Sequence, residues 1–155
     1  MPIYASSTPP NVEGSYRMSP NEMLYTSDGI RPTAKFADLL LLFMYNEPGS
    51  NELSYVMKQV DGTTYERGSS MLISGDGLKF TVFCKSTGKA IGISYTQGVV
   101  ISGSMSPELD AIKNMRWCMV MIDKVNDTDD KLMKVGVFRI FKDGNDYSKK
   151  FDWME

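Results

Sequence analysis

The chain has no histidine in its 155 residues, and that absence excludes more chemistry than any motif supplies. Imidazole titrates near neutrality and ligates metal when neutral, so general acid–base catalysis, serine or cysteine triads and most zinc sites depend on it. The expectation is a protein that is not an enzyme and holds no metal or other cofactor. An enzyme without histidine would betray itself by a deep pocket lined with carboxylates of perturbed pKa. Cysteine is scarce too. Cys84 and Cys118 both sit in apolar stretches, FTVFCK and RWCMVMI, which reads as two buried reduced thiols rather than a disulfide or a nucleophile. No apolar run nears the roughly 20 residues that span a bilayer, and the longest, Phe36 to Tyr45, is interrupted by Asp38. The first residues lack the basic and apolar regions of a secretory signal, so an intracellular, cytoplasmic location is expected. A net charge of −2 gives no global attraction to nucleic acid or anionic lipid.

With 42% apolar and 23% charged residues, the chain has the composition of a folded domain, and its length fits one. Twelve methionines are many for this length. Methionine adapts to irregular cores and to pliable interfaces alike, and the core is the expected use here.

Residues 1–18 carry the pair Pro9-Pro10, which denies helix and favours extended backbone, so this segment reads as an arm ahead of a single domain over 19–155. In SPNE at 19–22, Ser19 can cap a helix, Pro20 suits its first position and Glu22 completes a capping box, predicting a helix near 20–25. SPEL at 106–109 repeats the device, with Glu108 and Asp110 at the positive end of the dipole, and predicts a helix over 107–115. TAKFADLLLLFMYNEPG, 33–49, is apolar all round; its helix formers and the closing Pro48 favour a helix over a buried strand.

From Ser54 onward the pattern turns to strand. Asp61-Gly62 predicts a tight hairpin turn between SYVMKQV and TTYER. GDG at 75–77 predicts a second, after which Leu78, Phe80, Val82 and Cys84 face one way and Lys79, Thr81, Phe83 and Lys85 the other. STG at 86–88 reads as a further turn, GVVISG as a short strand, WCMVMID as a central strand, and LMKVGVFRIF as its partner across NDTDD. The fold class that follows is α+β, mainly antiparallel sheet built from hairpins, with two or three helices and the extended arm.

Chemical motifs are weak. KSTGKA at 85–90 lacks the earlier glycine of a phosphate loop and has Ala90 where a magnesium-binding hydroxyl belongs. DTDD at 127–130 lacks the glycine and distal glutamate of a calcium loop and reads as a solvated turn. Asp76 stands alone in turn chemistry, and Asp38 is the one carboxylate whose burial would raise its pKa. YSKK near the end is basic, yet neighbouring acids cancel it and no membrane-surface role follows. A single-stranded nucleic-acid site is an alternative: Lys79, Phe83, Lys85 and Lys89 share one edge of a hairpin with Tyr95 on a nearby strand, and stacking beside lysines holds single strands.

The arm is the strongest signal. At about 3.3 Å per residue it reaches nearly 60 Å, beyond the roughly 40 Å breadth of a compact domain of this length. Ile3, Tyr4, Val12, Tyr16 and Met18 are spaced along it like pegs, flanking Pro9 and Pro10, while Phe151, Trp153 and Met154 end the tail. Ordering backbone costs about 1–2 kcal/mol per residue, which burial or strand pairing must offset. The expected partner is another copy, so the predicted function is a non-enzymatic assembly subunit that self-associates through Ile3, Tyr4, Pro9, Pro10, Val12, Tyr16, Met18, Phe151 and Trp153, such as a matrix, capsid or accessory coat protein of a viral or phage particle. The plain rival is a monomeric interaction domain whose arm lies across its own sheet.

Overall fold

A computed structural model describes residues 1–29, 36–47 and 49–152. Every regular element among the described residues is a strand: β1 (Ser7–Thr8), β2 (Gly14–Met18), β3 (Asn21–Thr26), β4 (Leu39–Tyr45), β5 (Glu52–Gln59), β6 (Tyr65–Asp76), β7 (Lys79–Ala90), β8 (Ile93–Met105), β9 (Ala111–Val125), β10 (Phe138–Asp143) and β11 (Tyr147–Lys149). They form one sheet in the order β2-β4-β5-β6-β7-β8-β9-β10-β3, with β1 parallel to β6 and β11 antiparallel to β9. The sheet curls into an antiparallel half-barrel. At one end β11 reaches from β9 to β2: Tyr16 pairs with Lys150, and the Phe151 amide donates to the Ser15 carbonyl at 3.2 Å.

Alternation along the strands separates the two faces. Phe80 and Val82 point into the curl while Lys79, Phe83 and Lys85 point out, as their sequence pattern predicts. The concave face holds the core, in which Tyr16, Leu39, Leu41, Phe43, Tyr55, Phe80, Ile101 and Phe141 are sealed from solvent. Ring contacts run through it, from Tyr16–Phe43 (6.1 Å) and Phe43–Tyr55 (6.4 Å) to Trp117–Phe141 (5.5 Å). Tyr55 lies so close to Gly68 that a β-carbon there would come within 2.5 Å of the ring.

The helices expected of an α+β domain are absent among the described residues, and each fails for a separate reason. Residues 21–26 are β3, held along β10 from Asn21↔Asp143 to Thr26↔Arg139. The intended capping groups work elsewhere: Ser19 Oγ donates to Asp38 Oδ2 (2.6 Å), and Glu22 pairs with Lys142 (3.5 Å). A helix cap contributes only about 1 kcal/mol, less than a paired, half-buried strand recovers. At 106–111 the Ser106 hydroxyl accepts from the amides of Asp110 (3.0 Å) and Ala111 (3.1 Å) rather than from those of residues 108 and 109, which a helix cap would serve. It closes a turn over 107–110, after which β9 starts. The apolar run becomes β4 between β2 and β5, with Leu39, Leu41 and Phe43 inward. A run apolar at every position hides its own period, so burial against two neighbouring strands decided what pattern could not. Thr33–Lys35 and Pro48, at the ends of that predicted helix, lie outside the described residues.

Ser86–Gly88 is likewise no turn. It lies inside β7, whose pairing with β8 is continuous from Lys79↔Ser104 to Ala90↔Ile93, and the reversal comes at Ile91-Gly92. GVVISG is accordingly part of the thirteen-residue β8. Chain reversals fall near both predicted turns but differ from the expected ones. Strands β5 and β6 join through residues 60–64, where Asp61 has a positive φ and Gly62 does not, and β6 runs through Asp76, so that the second turn is Gly77-Leu78. Strands β9 and β10 pair across the loop that contains NDTDD. In that loop Lys124 Nζ meets Asp127 (2.7 Å) and Asp130 (2.9 Å), while Asp127 accepts the amides of Lys131 and Leu132.

Candidate functional site

Three places on this scaffold bear on function: the leader, the convex face and a pocket at one end of the concave face. The leader docks on its own chain. The Tyr4 amide donates to Thr81 Oγ1 (2.8 Å), Ser74 Oγ donates to the Tyr4 carbonyl (2.7 Å), and β1 pairs with Gly75 and Asp76 of β6. Pro10 is buried, Pro9 half-buried, and Val12, Tyr16 and Met18 are fully buried core residues. Ile3 remains 53% exposed. The reason for expecting a foreign partner was too small a gain from the parent globule, and strand β2 with its three buried side chains supplies that gain. Phe151 is half-buried beside β2, and Trp153 lies outside the described residues.

Asp38 is an anchor for this corner. Burial alone would raise its pKa, but the Ser19 hydroxyl and the Arg17 guanidinium (2.8 Å) outweigh burial and hold the carboxyl below its ordinary range.

On the convex face the register aligns Leu72, Phe83, Val100, Cys118, Ile140 and Tyr25 side by side across β6, β7, β8, β9, β10 and β3. Leu72 is 64% exposed, and Phe83 and Tyr25 are exposed as well. A second row, Gly98, Val120 and Phe138, runs beside it, and the Phe138 ring stacks on Tyr25 at 5.4 Å. Between Phe83, Val100, Cys118 and Val120 lies a shallow apolar groove of about 320 Å³. Charges flank the stripe on both sides: Arg67, Lys85, Lys89 and Asp123 toward one end, and Arg116, Lys142, Glu22 and Asp146 toward the other, where Arg116 meets Asp146 at 3.0 Å.

The residues of the nucleic-acid alternative divide between the faces. Lys79, Phe83, Lys85 and Lys89 line the outer side of β7, with Lys79 over the Tyr4 ring. Tyr95 is buried on the inner side, where its hydroxyl donates to Glu66 Oε2 at 3.0 Å. Parity along β8 hides that reversal from a reader who does not know which face is buried.

Glu66 is the functional group that sequence reasoning missed. It sits in β6 between exposed Tyr65 and Arg67, so its place in YERG reads as an ordinary solvent-facing carboxylate, yet it is wholly buried. Gln97 Nε2 and Tyr95 OH donate to its Oε2, with Ser86 also in reach. Gly88 makes this possible, because a β-carbon there would meet the Tyr95 phenol at 2.6 Å. Burial pushes the Glu66 carboxyl up to about 7, only partly countered by Gln97, Ser86 and Tyr95. Burial, then the Glu66 charge, pushes the Cys84 thiol up to about 12 and raises the Tyr95 phenol. Both thiols are inert by this measure, Cys118 being raised by burial as well.

Glu66 lines a pocket of about 180 Å³ together with Met57, Met119, Met121, Met133, Phe36, Phe141, Trp117, Asn21 and Arg139. Loop 126–137 covers it, with Met133 packed on Ala90, Tyr95 and Met121 and the Gly136 amide bonded to the Met121 carbonyl (2.8 Å). Glu66 is the one carboxyl lining the pocket among the described residues, so it can exchange a proton near neutrality but meets no second acid or paired nucleophile there. Among the described residues no group of three or more histidine, cysteine, aspartate or glutamate side chains could hold a metal ion, and no helix is long and apolar enough to cross a membrane.

No protein-family model, curated protein or solved structure matches this chain.

Proposed function

We propose that the protein is a non-enzymatic subunit that self-associates, with the convex face of its sheet rather than its leader as the contact surface. One observation carries this reading: a row of apolar side chains crosses six adjacent strands on the outside of the molecule, from Leu72 to Tyr25. Scattered apolar residues are normal on a surface, but a contiguous stripe rimmed by charge is the anatomy of an interface. The partner of choice is a second copy. Two such faces pack on each other as the sheets of a sandwich do, and a two-fold axis makes one stripe complementary to itself. The rim carries both signs, so a two-fold pairing places no single-sign field against its copy. The lack of histidine, and of a second carboxyl at the pocket among the described residues, supports a binding role over turnover.

Light scattering over a concentration series tests it. The full chain is expected to be a dimer or larger. Phe83→Lys is expected to weaken association roughly thirtyfold, the effect of losing a central anchor. A full chain that stays monomeric at high concentration refutes the reading, as does a Phe83→Lys variant that associates unchanged. Removal of residues 1–18 is not a clean alternative, because it strips Val12, Tyr16 and Met18 from the core.

A further inference from the structure

The concave pocket poses a problem of unmet hydrogen bonds. Among the described residues, the buried atoms Asn21 Oδ1, Glu66 Oε1, Trp117 Nε1 and Arg139 Nε find no hydrogen-bond partner, and all four residues line this one pocket. Leaving a buried polar atom without a partner costs about 1–3 kcal/mol, more for charged groups, so four around one pocket call for a polar occupant there, a ligand or water. The other polar atoms of Asn21 and Glu66 are committed: Asn21 Nδ2 donates to the Ala37 carbonyl (3.2 Å), and Glu66 Oε2 is taken by Tyr95 and Gln97.

The lining also defines what fits. Two of the unmet groups are N–H donors, from Trp117 and Arg139, and no carboxylate lies within ion-pair distance of Arg139 among the described residues. Lys131 also lines the pocket, but its ammonium pairs with Asp129 at 2.9 Å, which leaves Arg139 as the cation set against Glu66 among the described residues. With Lys131 neutralised by Asp129, the Arg139 charge favours an anion while Glu66 is neutral. The remaining wall is aromatic and sulfur-rich: Phe36 meets Phe141 edge to face at 4.9 Å, and Met57, Met119, Met121 and Met133 surround them. Aromatic edges and polarizable thioethers both suit a flat ring. A cavity of about 150 Å³ accepts benzene; this one, at about 180 Å³, has room for one ring and a small polar group.

We propose that this pocket binds a small aromatic monocarboxylate, with its carboxylate accepting N–H bonds at the Trp117 and Arg139 end and its ring against the methionines. The carboxylate end satisfies the donors that the fold leaves unmet, and Asn21 Oδ1 and Glu66 Oε1 remain for a ring hydroxyl or a shared water. The site is independent of the convex face, so either can fail alone.

Calorimetric titration of the full chain with benzoate, toluene and benzylamine tests it, read in parallel by Trp117 fluorescence in a Trp153→Phe background, which leaves one tryptophan of the two. Benzoate is expected to bind saturably at one site and to change the Trp117 emission, with toluene and benzylamine at least roughly tenfold weaker, the difference one charge-assisted hydrogen bond makes. Arg139→Met is expected to lose benzoate affinity roughly tenfold to a hundredfold. Should that variant not fold, Arg139→Lys keeps the charge but not the Nε–H and is expected to weaken benzoate measurably. Equal binding of toluene and benzoate makes the pocket an apolar void and overturns the assignment. Absence of saturable binding by all three probes leaves buried water as the occupant and overturns it as well.

Discussion

The two ends of the concave face belong to one sheet and do opposite things. At the Phe43 end, Tyr16, Leu41, Phe43, Tyr55 and Phe80 interlock with no charged side chain among them. At the Glu66 end, methionines and small residues surround a buried carboxyl, an amide, an indole and a guanidinium, several with bonds unmade. Stability resides in the first end, and the second bears a cost in stability that a binding site would explain.

Truncating the dry end should have the largest effect. Phe80→Ala removes a fully buried ring and is expected to cost about 3–5 kcal/mol in urea denaturation, through a lower midpoint at unchanged slope. A loss below about 1 kcal/mol would mean that this end is not the stabilising one.

Glu66 sharpens the contrast from the other side. Its folded pKa of about 7 lies above the ordinary 4.5, so the fold favours the neutral acid. Stability linked to this group is fully present below pH 4.5 and is lost as pH rises through 7. The total is about 3 kcal/mol for a shift of this size. Glu66→Gln, which stays uncharged, is expected to abolish that decline between pH 5 and 8 and to be the more stable form at pH 8. Parallel denaturation curves of the two proteins over this window check it, and an equal decline in both refutes it. The titratable groups coupled to Glu66 are Tyr95 and Cys84, both raised well above this window, and its other partners Gln97 and Ser86 do not titrate.

Gly68→Ala tests how tightly the dry end is packed. Its new β-carbon falls 2.5 Å from the Tyr55 ring, and overpacking of this kind costs about 1–3 kcal/mol. A thermal melt indistinguishable from the parent would show that Tyr55 yields freely. The smallest effect belongs to the outside of the sheet: Leu72→Lys, at a side chain 64% exposed, is expected to change monomer stability by no more than about 0.5 kcal/mol while weakening self-association. Light scattering beside a urea curve separates the two outcomes.

Much of the sheet was legible because turns and alternation are local. The in-out pattern of Phe80, Val82, Phe83 and Lys85 appears in the structure as the sequence predicts, and the chain reverses near Asp61-Gly62 and GDG, though through the wider connection 60–64 and at Gly77-Leu78. The helices were misread where local signals had non-local competitors, as when Ser19 found Asp38 rather than its own helix amide. The pocket was illegible because its members are dispersed, from Asn21 and Glu66 to Trp117 and Arg139, and Glu66 looks like its exposed neighbours. A carboxylate at an inward parity position opposite Gly88 was the signal available, and it becomes readable only after the register is known.

By itself the chain's sequence determined a strand-rich body, the places where most of its hairpins reverse, and a chemistry without imidazole, since these depend on residue type and nearest neighbours. Tertiary structure alone decided that the leader completes its own sheet, that buried Glu66 and Arg139 line one pocket, and that six apolar residues align on the outer face. Curvature and register set those relations, and both arise from pairings between residues as far apart as Tyr4 and Thr81.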